Sequence, residues 1–148
     1  MLVRYLQQDA LEEQKSDLAR IYVAIDSEKD DRPIGYFSLS ATGYYIPALT
    51  DVVRSETFLY PAFLAFLAHN SAWRGRGLGD FLLIEALKHA AEAAEHIGLP
   101  GLLLQTTKEG AALYERFGFV WIDRADSYLY LPMKDVRAII FPSGRNEQ

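Results

Sequence analysis

From Leu78 onward the apolar residues Leu78, Leu82, Leu83, Ala86, Leu87, Ala90, Ala94 and Ile97 recur at the spacing of one helix face, and Gly98 with Pro100 closes the run. No other stretch constrains the fold as strongly, because apolar segments flank it on both sides: Phe58 to His69 before it and Leu102 to Thr106 after it. Strand, amphipathic helix and strand in this order form a right-handed crossover unit. Pro61 cannot donate to a ladder, so the upstream strand is expected from Phe63 to His69, buried and central.

The remainder fits around this unit. Ile21 to Ile25 and Ile34 to Ala41 are rich in β-branched and aromatic residues, with a charged, polar segment from Asp26 to Pro33 between them. That pattern predicts an antiparallel hairpin. Tyr5 to Leu18 reads as a helix in which Leu6, Ala10, Leu11 and Leu18 share a face. Tyr44 to Ser55 reads as irregular, with a short helical turn. Glu109 to Phe117 reads as a second helix stopped by Gly118, Tyr128 to Met133 as a last strand, and Lys134 as the start of a short helix. The order predicts one α/β domain spanning residues 1–148, a mixed sheet with helices on both faces.

Composition narrows the chemistry. With no cysteine there is no disulfide, no thiolate nucleophile and no cysteine-ligated zinc, and three unclustered histidines lead to no expected metal site. A net charge of −5 argues against the broadly basic surface that coats nucleic acid and leaves room only for a local basic patch. The longest apolar run, Phe58 to Ala68, is too short to span a bilayer. Met1-Leu2-Val3-Arg4 meets polar residues too early for a signal peptide, so a cytoplasmic location is expected.

Arg74-Gly75-Arg76-Gly77-Leu78-Gly79 stands between the expected central strand and the long helix. Glycines let backbone fold closely around a ligand, and the unpaired amides at a helix start, at the positive end of its dipole, suit a pyrophosphate. The segment is neither Gly-x-Gly-x-x-Gly nor a P-loop, so neither a Rossmann dinucleotide site nor a Walker site is indicated. The alternative for the segment by itself is an ordinary glycine-rich turn before a helix. Further on, Leu113-Tyr114-Glu115-Arg116-Phe117-Gly118-Phe119 places Tyr114 on a short helix, where a tyrosine taken alone is most simply part of the packing.

Taken together, the two segments resemble the GNAT superfamily of acetyl-CoA-dependent N-acetyltransferases. Arg74, Gly77 and Gly79 match its Arg/Gln-x-x-Gly-x-Gly/Ala pattern, and Tyr114, Phe117, Gly118 and Phe119 match Tyr-x-x-Phe-Gly-Phe, with one helix and one strand between them. Leu18 to Asp26, Ile34 to Ala41 and Leu129 to Val136 carry the similarity over nearly the whole chain, toward the acetyltransferase toxins of bacterial type II toxin–antitoxin modules. The resemblance implies the GNAT fold with a mostly antiparallel central sheet. It also implies acetyl-CoA as cosubstrate, held by the amides of Leu67, Ala68 and His69 along the pantetheine arm and by Arg74, Gly75, Arg76, Gly77, Leu78 and Gly79 at the pyrophosphate. Tyr114 would be the proton donor to the leaving thiolate. The pantetheine arm would lie where the strand before the motif and the strand Leu102–Thr106 splay apart.

Three features depart from the toxin pattern. No first strand of the kind such proteins carry is expected here, since Tyr5 to Gln14 already reads as the middle of the helix that follows it. Phe66 stands where a basic residue is common, and Thr107 stands where an asparagine is common, seven residues before Tyr114. A general base is not evident: Glu56 could act through water, His69 ends the central strand at a position that contributes backbone in the family, and His89 and His96 read as solvated. Tyr36, Tyr44 and Tyr45 read as packing residues, or as lining of the acceptor pocket.

Those toxins acetylate the free α-amine of aminoacyl-tRNA, which is one expected acceptor; the acidic charge balance points instead to a small or peptide amine. A third reading is a non-catalytic GNAT-fold binding protein, against which the retained Arg74, Gly77, Gly79 and Tyr114 stand. The uncovered strand Ile21–Ile25 and the resemblance together imply a homodimer, with a cognate antitoxin as the other expected partner.

Overall fold

The computed structural model describes residues 9–46 and 57–142. The expectations for the first eight residues, for Glu56 and for the whole of the segment 47–55 fall outside them. The described chain divides into two compact units, residues 1–40 with 64–86 and residues 41–63 with 87–148.

Among the described residues the first unit holds helix α1, Ala10–Lys15, followed by β1, Arg20–Asp26, and β2, Arg32–Ala41. The two strands form the expected antiparallel hairpin, pairing Arg20 with Leu39 through Asp26 with Arg32, with a bulge between Ala24 and Ile25. Tyr22 and Phe37 face each other in this register, their rings stacked 4.9 Å apart. Ile34 to Ser38 are all buried, which makes β2 the interior strand, and β5, Ala62–His69, runs along its other side. Ala10 of α1 packs on Tyr36 of β2, together with Ile21 and Ala68. Leu11 and Leu18 do not share that face; they are 61% and 67% exposed. The helix ends at Lys15, and Asp17, at a left-handed φ of 60°, turns the chain before Leu18.

The long helix is α2, Leu78–Ala94. Leu82, Leu83, Ala86, Leu87 and Ala90 are buried along one stripe, as the periodicity requires. Ile97 lies beyond the helix end and is 61% exposed, so the periodic run overshoots by one residue of its pattern. The last turn is held by Ile97 N–H donating to Ala93 O, after which the chain leaves for β6.

In the second unit β6, Gly101–Gln105, and β7, Val120–Asp123, both pair antiparallel with β8, Tyr128–Pro132. Within the first unit the strands run in the order β1-β2-β5 and within the second in the order β6-β8-β7, with the β1–β2, β6–β8 and β7–β8 pairings all antiparallel. β7 is absent from the sequence reading because it is only four residues long and only one of them, Ile122, is buried. A separate hairpin joins β3, Tyr44–Ile46, to β4, Thr57–Leu59, and corrects the reading of residue 44 onward as irregular. Its inner residues Tyr44 and Leu59 pack with Phe63 on Leu103, Ile122 and Tyr130. Helix α3 is Ala111–Arg116; α4, Met133–Ile140, buries Met133 and Val136. Among the described residues no helix is long and apolar enough to cross a membrane.

Candidate active site

β5 delivers the chain to the glycine segment. Asn70 N–H donates to Ile34 O at 2.7 Å, which fixes the end of β5 beside β2. The Asn70 side chain then accepts from Ala72 N–H at 2.9 Å and starts the 3₁₀ turn Ser71–Trp73. In the tautomer that carries its proton on Nδ1, His69 donates to Asn70 O at 3.0 Å. Leu67, Ala68 and His69 are each half-buried in β5.

The segment Arg74–Gly77 is a turn leading directly into α2. Gly75 and Gly77 have φ of +78° and +80°, a backbone region that L side chains enter only with strain, and a Cβ placed on either would meet nothing within 4 Å. These glycines are therefore required by conformation, and the space in front of them is open. Phe81 N–H is the first in α2 to find a helical partner, Gly77 O at 3.0 Å, so the amides of Leu78 and Gly79 precede the helical ladder. Arg76 differs from its neighbours: its N–H is engaged by Trp73 O at 3.2 Å, and its guanidinium stacks 3.9 Å above the Trp73 ring. Its offering to an anion is a side chain rather than an amide. Trp73, which sequence reasoning passed over, thus sets the direction of Arg76. Open amides at a helix N-terminus with two exposed arginines fit a pyrophosphate by charge, donor type and space.

Tyr114 sits in the second unit, on a helix of six residues that would not persist alone. Three contacts hold it. Thr107 Oγ1 accepts from Gly110 N–H at 3.1 Å and shapes the entry; Trp121 Nε1 donates to Glu115 Oε2 at 2.9 Å and ties the helix to β7. Gly118, at φ +96°, makes the left-handed exit, with Phe119 N–H donating back to Tyr114 O at 3.2 Å. The signature Tyr-x-x-Phe-Gly-Phe is thereby a structural statement: the glycine reverses the chain so that Phe119 meets the Tyr114 ring edge-on at 5.7 Å. Tyr114 is buried, and burial alone pushes its phenol up to about 12. It keeps its proton throughout the neutral range and is a proton donor there, not a base.

Elsewhere, His96 is exposed and His89 half-buried on α2. Tyr44 packs on Tyr128 at 4.8 Å and donates to Asp123 at 3.3 Å, while Tyr45 is exposed. Burial, followed by the Asp123 carboxylate, raises Tyr44 to about 12, so this phenol too stays neutral.

A family model described as an acetyltransferase (GNAT) domain matches residues 17–121, a span that takes in both the glycine turn and Tyr114. The chain belongs to the GNAT acetyltransferase family. It is 32% identical over 139 residues to a tRNA-acetylating toxin of Mycobacterium tuberculosis, covering 92% of this chain and 82% of the relative. It is 24% identical to a probable toxin TacT of Sinorhizobium fredii, covering 85% and 76%. A solved mutant of KacT superposes with a TM-score of 0.83 at 20% identity, covering 92% of this chain and 84% of that one. AtaT complexed with acetyl-methionyl-tRNA superposes at 0.81 with 17% identity, covering 92% and 84%. At these identities the two structures establish that the fold is shared.

Proposed function

We propose that this chain, as a single domain, transfers acetyl from acetyl-CoA to the α-amine of an aminoacyl-tRNA. The observation that carries the transferase half is the open, left-handed Gly75–Gly77 turn feeding the first amides of α2 in a GNAT chain. The acceptor half is supported by the Mycobacterium relative, whose name states tRNA acetylation, and by the AtaT complex with an acetylated methionyl-tRNA.

When bound, acetyl-CoA supplies an acetyl group already activated as a thioester. The chain's own groups do the rest. The amides of Gly75, Gly77, Leu78 and Gly79, with Arg74 and Arg76, hold the pyrophosphate. The amides of Leu67, Ala68 and His69 line the pantetheine arm, and one of them donates to the carbonyl oxygen as charge grows there. The neutral acceptor amine attacks, its nitrogen–carbon bond forms as the carbon–sulfur bond breaks, and Tyr114 passes its proton to sulfur. A proton from the acetylated nitrogen, relayed through water, restores Tyr114, so the net change is one proton from nitrogen to sulfur. A phenol held near 12 is a weak acid, but a thiolate formed in the same dry surroundings is correspondingly more basic than in water.

The acidic charge of −5 favours a second reading, a small or peptide amine as acceptor. One assay separates them. With radiolabelled acetyl-CoA, a panel of charged tRNAs is expected to be labelled at the aminoacyl end, with free amino acids, polyamines and peptides giving less than about one hundredth of that rate; label confined to the small amines would overturn the acceptor proposal.

The proposal extends to a cytoplasmic homodimer. Among the described residues β1 is paired only along its β2 side, and Ile25 on it is half exposed, at 50%. A strand edge of this kind is covered in a soluble protein. Light scattering is expected to give twice the 16.7 kDa chain mass, and a monomer at micromolar concentration would refute the dimer. AtaT has been solved bound to the C-terminus of the antitoxin AtaR, which supports an antitoxin as a further partner here.

A further inference from the structure

β3 and β4 pair Tyr45 with Phe58, so these two side chains share the outer side of the hairpin, and Tyr60, two residues past Phe58, joins them. The other side, with Tyr44 and Leu59, is the one packed on Leu103, Ile122 and Tyr130. Tyr45, Phe58 and Tyr60 are 49%, 53% and 67% exposed. The Phe58 and Tyr60 rings lie 5.2 Å apart at 55°. Both rest against the backbone of Gly43: a Cβ there would stand 2.6 Å from Phe58 Cε1 and 3.3 Å from Tyr60 Cε1. Glycine at 43 therefore makes room for two rings that are held in place and still open to solvent.

A cluster of exposed aromatic side chains marks a surface that meets something. Its size says what it fits. An aromatic side chain offers about 150–250 Å², so three that are half exposed present roughly 300 Å². A stable protein interface takes roughly 800 Å² from each partner, so this face is too small to hold a second copy of the chain. It has the extent of a few flat rings. Charge points the same way: residues 41–46 and 57–63 hold no charged side chain, in a chain of 20 acidic and 15 basic residues. Those residues neither repel a polyanion nor grip a phosphate; they offer ring faces. Stacking of unpaired bases on such rings tolerates any base sequence and needs no phosphate contact.

We propose that Tyr45, Phe58 and Tyr60 are the stacking platform for the unpaired 3′-terminal bases of the acceptor tRNA. This rests on the aminoacyl-tRNA reading above. The aminoacyl group is esterified to the last, single-stranded nucleotide, so the bases beside it have no partner across a duplex and can give their faces to the protein. The platform belongs to the unit that carries Tyr114. Tyr44 of the same hairpin packs on Tyr128, whose partner across the ladder is Gln105 at the end of β6, and from there the chain runs through Thr107 into α3. Stacking also accounts for how a chain of net charge −5 holds a polyanion without the broad basic surface that phosphate contacts require.

The probes are two uncharged tRNAs, one with its 3′-terminal CCA and one from which those nucleotides have been removed, used as competitors of acetyl transfer to charged tRNA. With the wild-type chain the intact tRNA is expected to compete about tenfold more strongly. Tyr60→Ala and Phe58→Ala are each expected to shrink that difference to less than about threefold and to raise KM for charged tRNA about tenfold, with kcat within about twofold and acetyl-CoA affinity unchanged. Tyr60→Phe and Phe58→Tyr, which keep the rings, are expected to behave as wild type. Tyr60 is the most exposed of the three, so its alanine variant tests the platform even if Phe58→Ala loosens the hairpin over Gly43. An unchanged KM in a folded Tyr60→Ala chain overturns this inference, as does equal competition by the two tRNAs with the wild-type chain. Loss of self-association or of antitoxin binding in Tyr60→Ala, with KM for charged tRNA unchanged, would make the face a protein-docking surface and overturns it equally. In each of these cases the acceptor reading stands. A wild-type chain that acetylates free amines but no charged tRNA overturns the acceptor reading, and the inference with it.

Discussion

Gly77→Glu abolishes acetyl-CoA binding, with an expected loss of at least about one hundredfold by calorimetric titration, or about 2.7 kcal/mol. Two effects combine. The carboxylate would stand in the open space before the Leu78 and Gly79 amides, where it competes for the donors meant for the pyrophosphate and repels it. A β-carbon at φ +80° also strains the turn by about 1–2 kcal/mol. Gly77→Ala separates the two, since it introduces the strain without the charge and meets no neighbouring atom. It is expected to keep binding within about tenfold of wild type. Equal losses in the two variants would mean that the conformation of the turn, and not the anion site, is what glutamate damages. Wild-type affinity in a folded Gly77→Glu chain would remove the pyrophosphate from this turn altogether.

Tyr114→Phe is expected to lower kcat by about 10²–10⁴-fold while acetyl-CoA affinity stays within about twofold. Phenylalanine keeps the ring against Phe119, so α3 is expected to remain in place. Wild-type turnover in this variant would make Tyr114 a packing residue and leave water to protonate the thiolate. The pH dependence gives an independent reading. Because Tyr114 titrates near 12, the wild-type rate is expected to rise through the acceptor amine's own titration and then hold level, with no descending limb below about pH 11. Stability behaves differently. Tyr114 and Tyr130 are both buried and both raised to about 12, above the ordinary tyrosine value of 10.0. A raised acid favours the folded state below its unfolded pKa, and that contribution is lost as pH climbs from 10 toward 12, by roughly 2–3 kcal/mol for Tyr114 and by less for Tyr130, where solvent screens the charge. Thermal midpoints measured from pH 9 to pH 12 are therefore expected to fall above pH 10, and to fall less steeply in Tyr114→Phe. Parallel curves for the two chains would mean that Tyr114 is not held neutral by its burial.

Most of the fold was legible because local patterns and tertiary demands agree. The stripe from Leu78 to Ala90 is apolar because it is buried, and the β1–β2 hairpin is announced by β-branched and aromatic residues on either side of a charged turn. Where the pattern misled, burial was uneven along a short element. The four-residue β7 has too little alternation to register, and β3 could not be told from a loop because it is three residues long and its packed Tyr44 and exposed Tyr45 are the same residue type, which hides the alternation. Leu11, Leu18 and Ile97 fit a helical face in spacing, yet none lies on a covered surface, since periodicity cannot report where a helix stops or what lies opposite it.

The sequence by itself determined the two motifs, the class of chemistry they resemble and that no cysteine side chain takes part, because glycine, tyrosine and cysteine carry their constraints in residue type alone. Only the tertiary structure decided that Gly75 and Gly77 adopt left-handed backbone with open space before them, and that Arg76 is turned onto Trp73 with its amide already engaged. It likewise decided that burial holds Tyr114 protonated, and that the enclosed Ser38 hydroxyl has no hydrogen-bond partner among the described residues. These depend on φ angles, on desolvation and on which side chains meet across strands distant in sequence, quantities set by the assembled chain and not by any local run of residues.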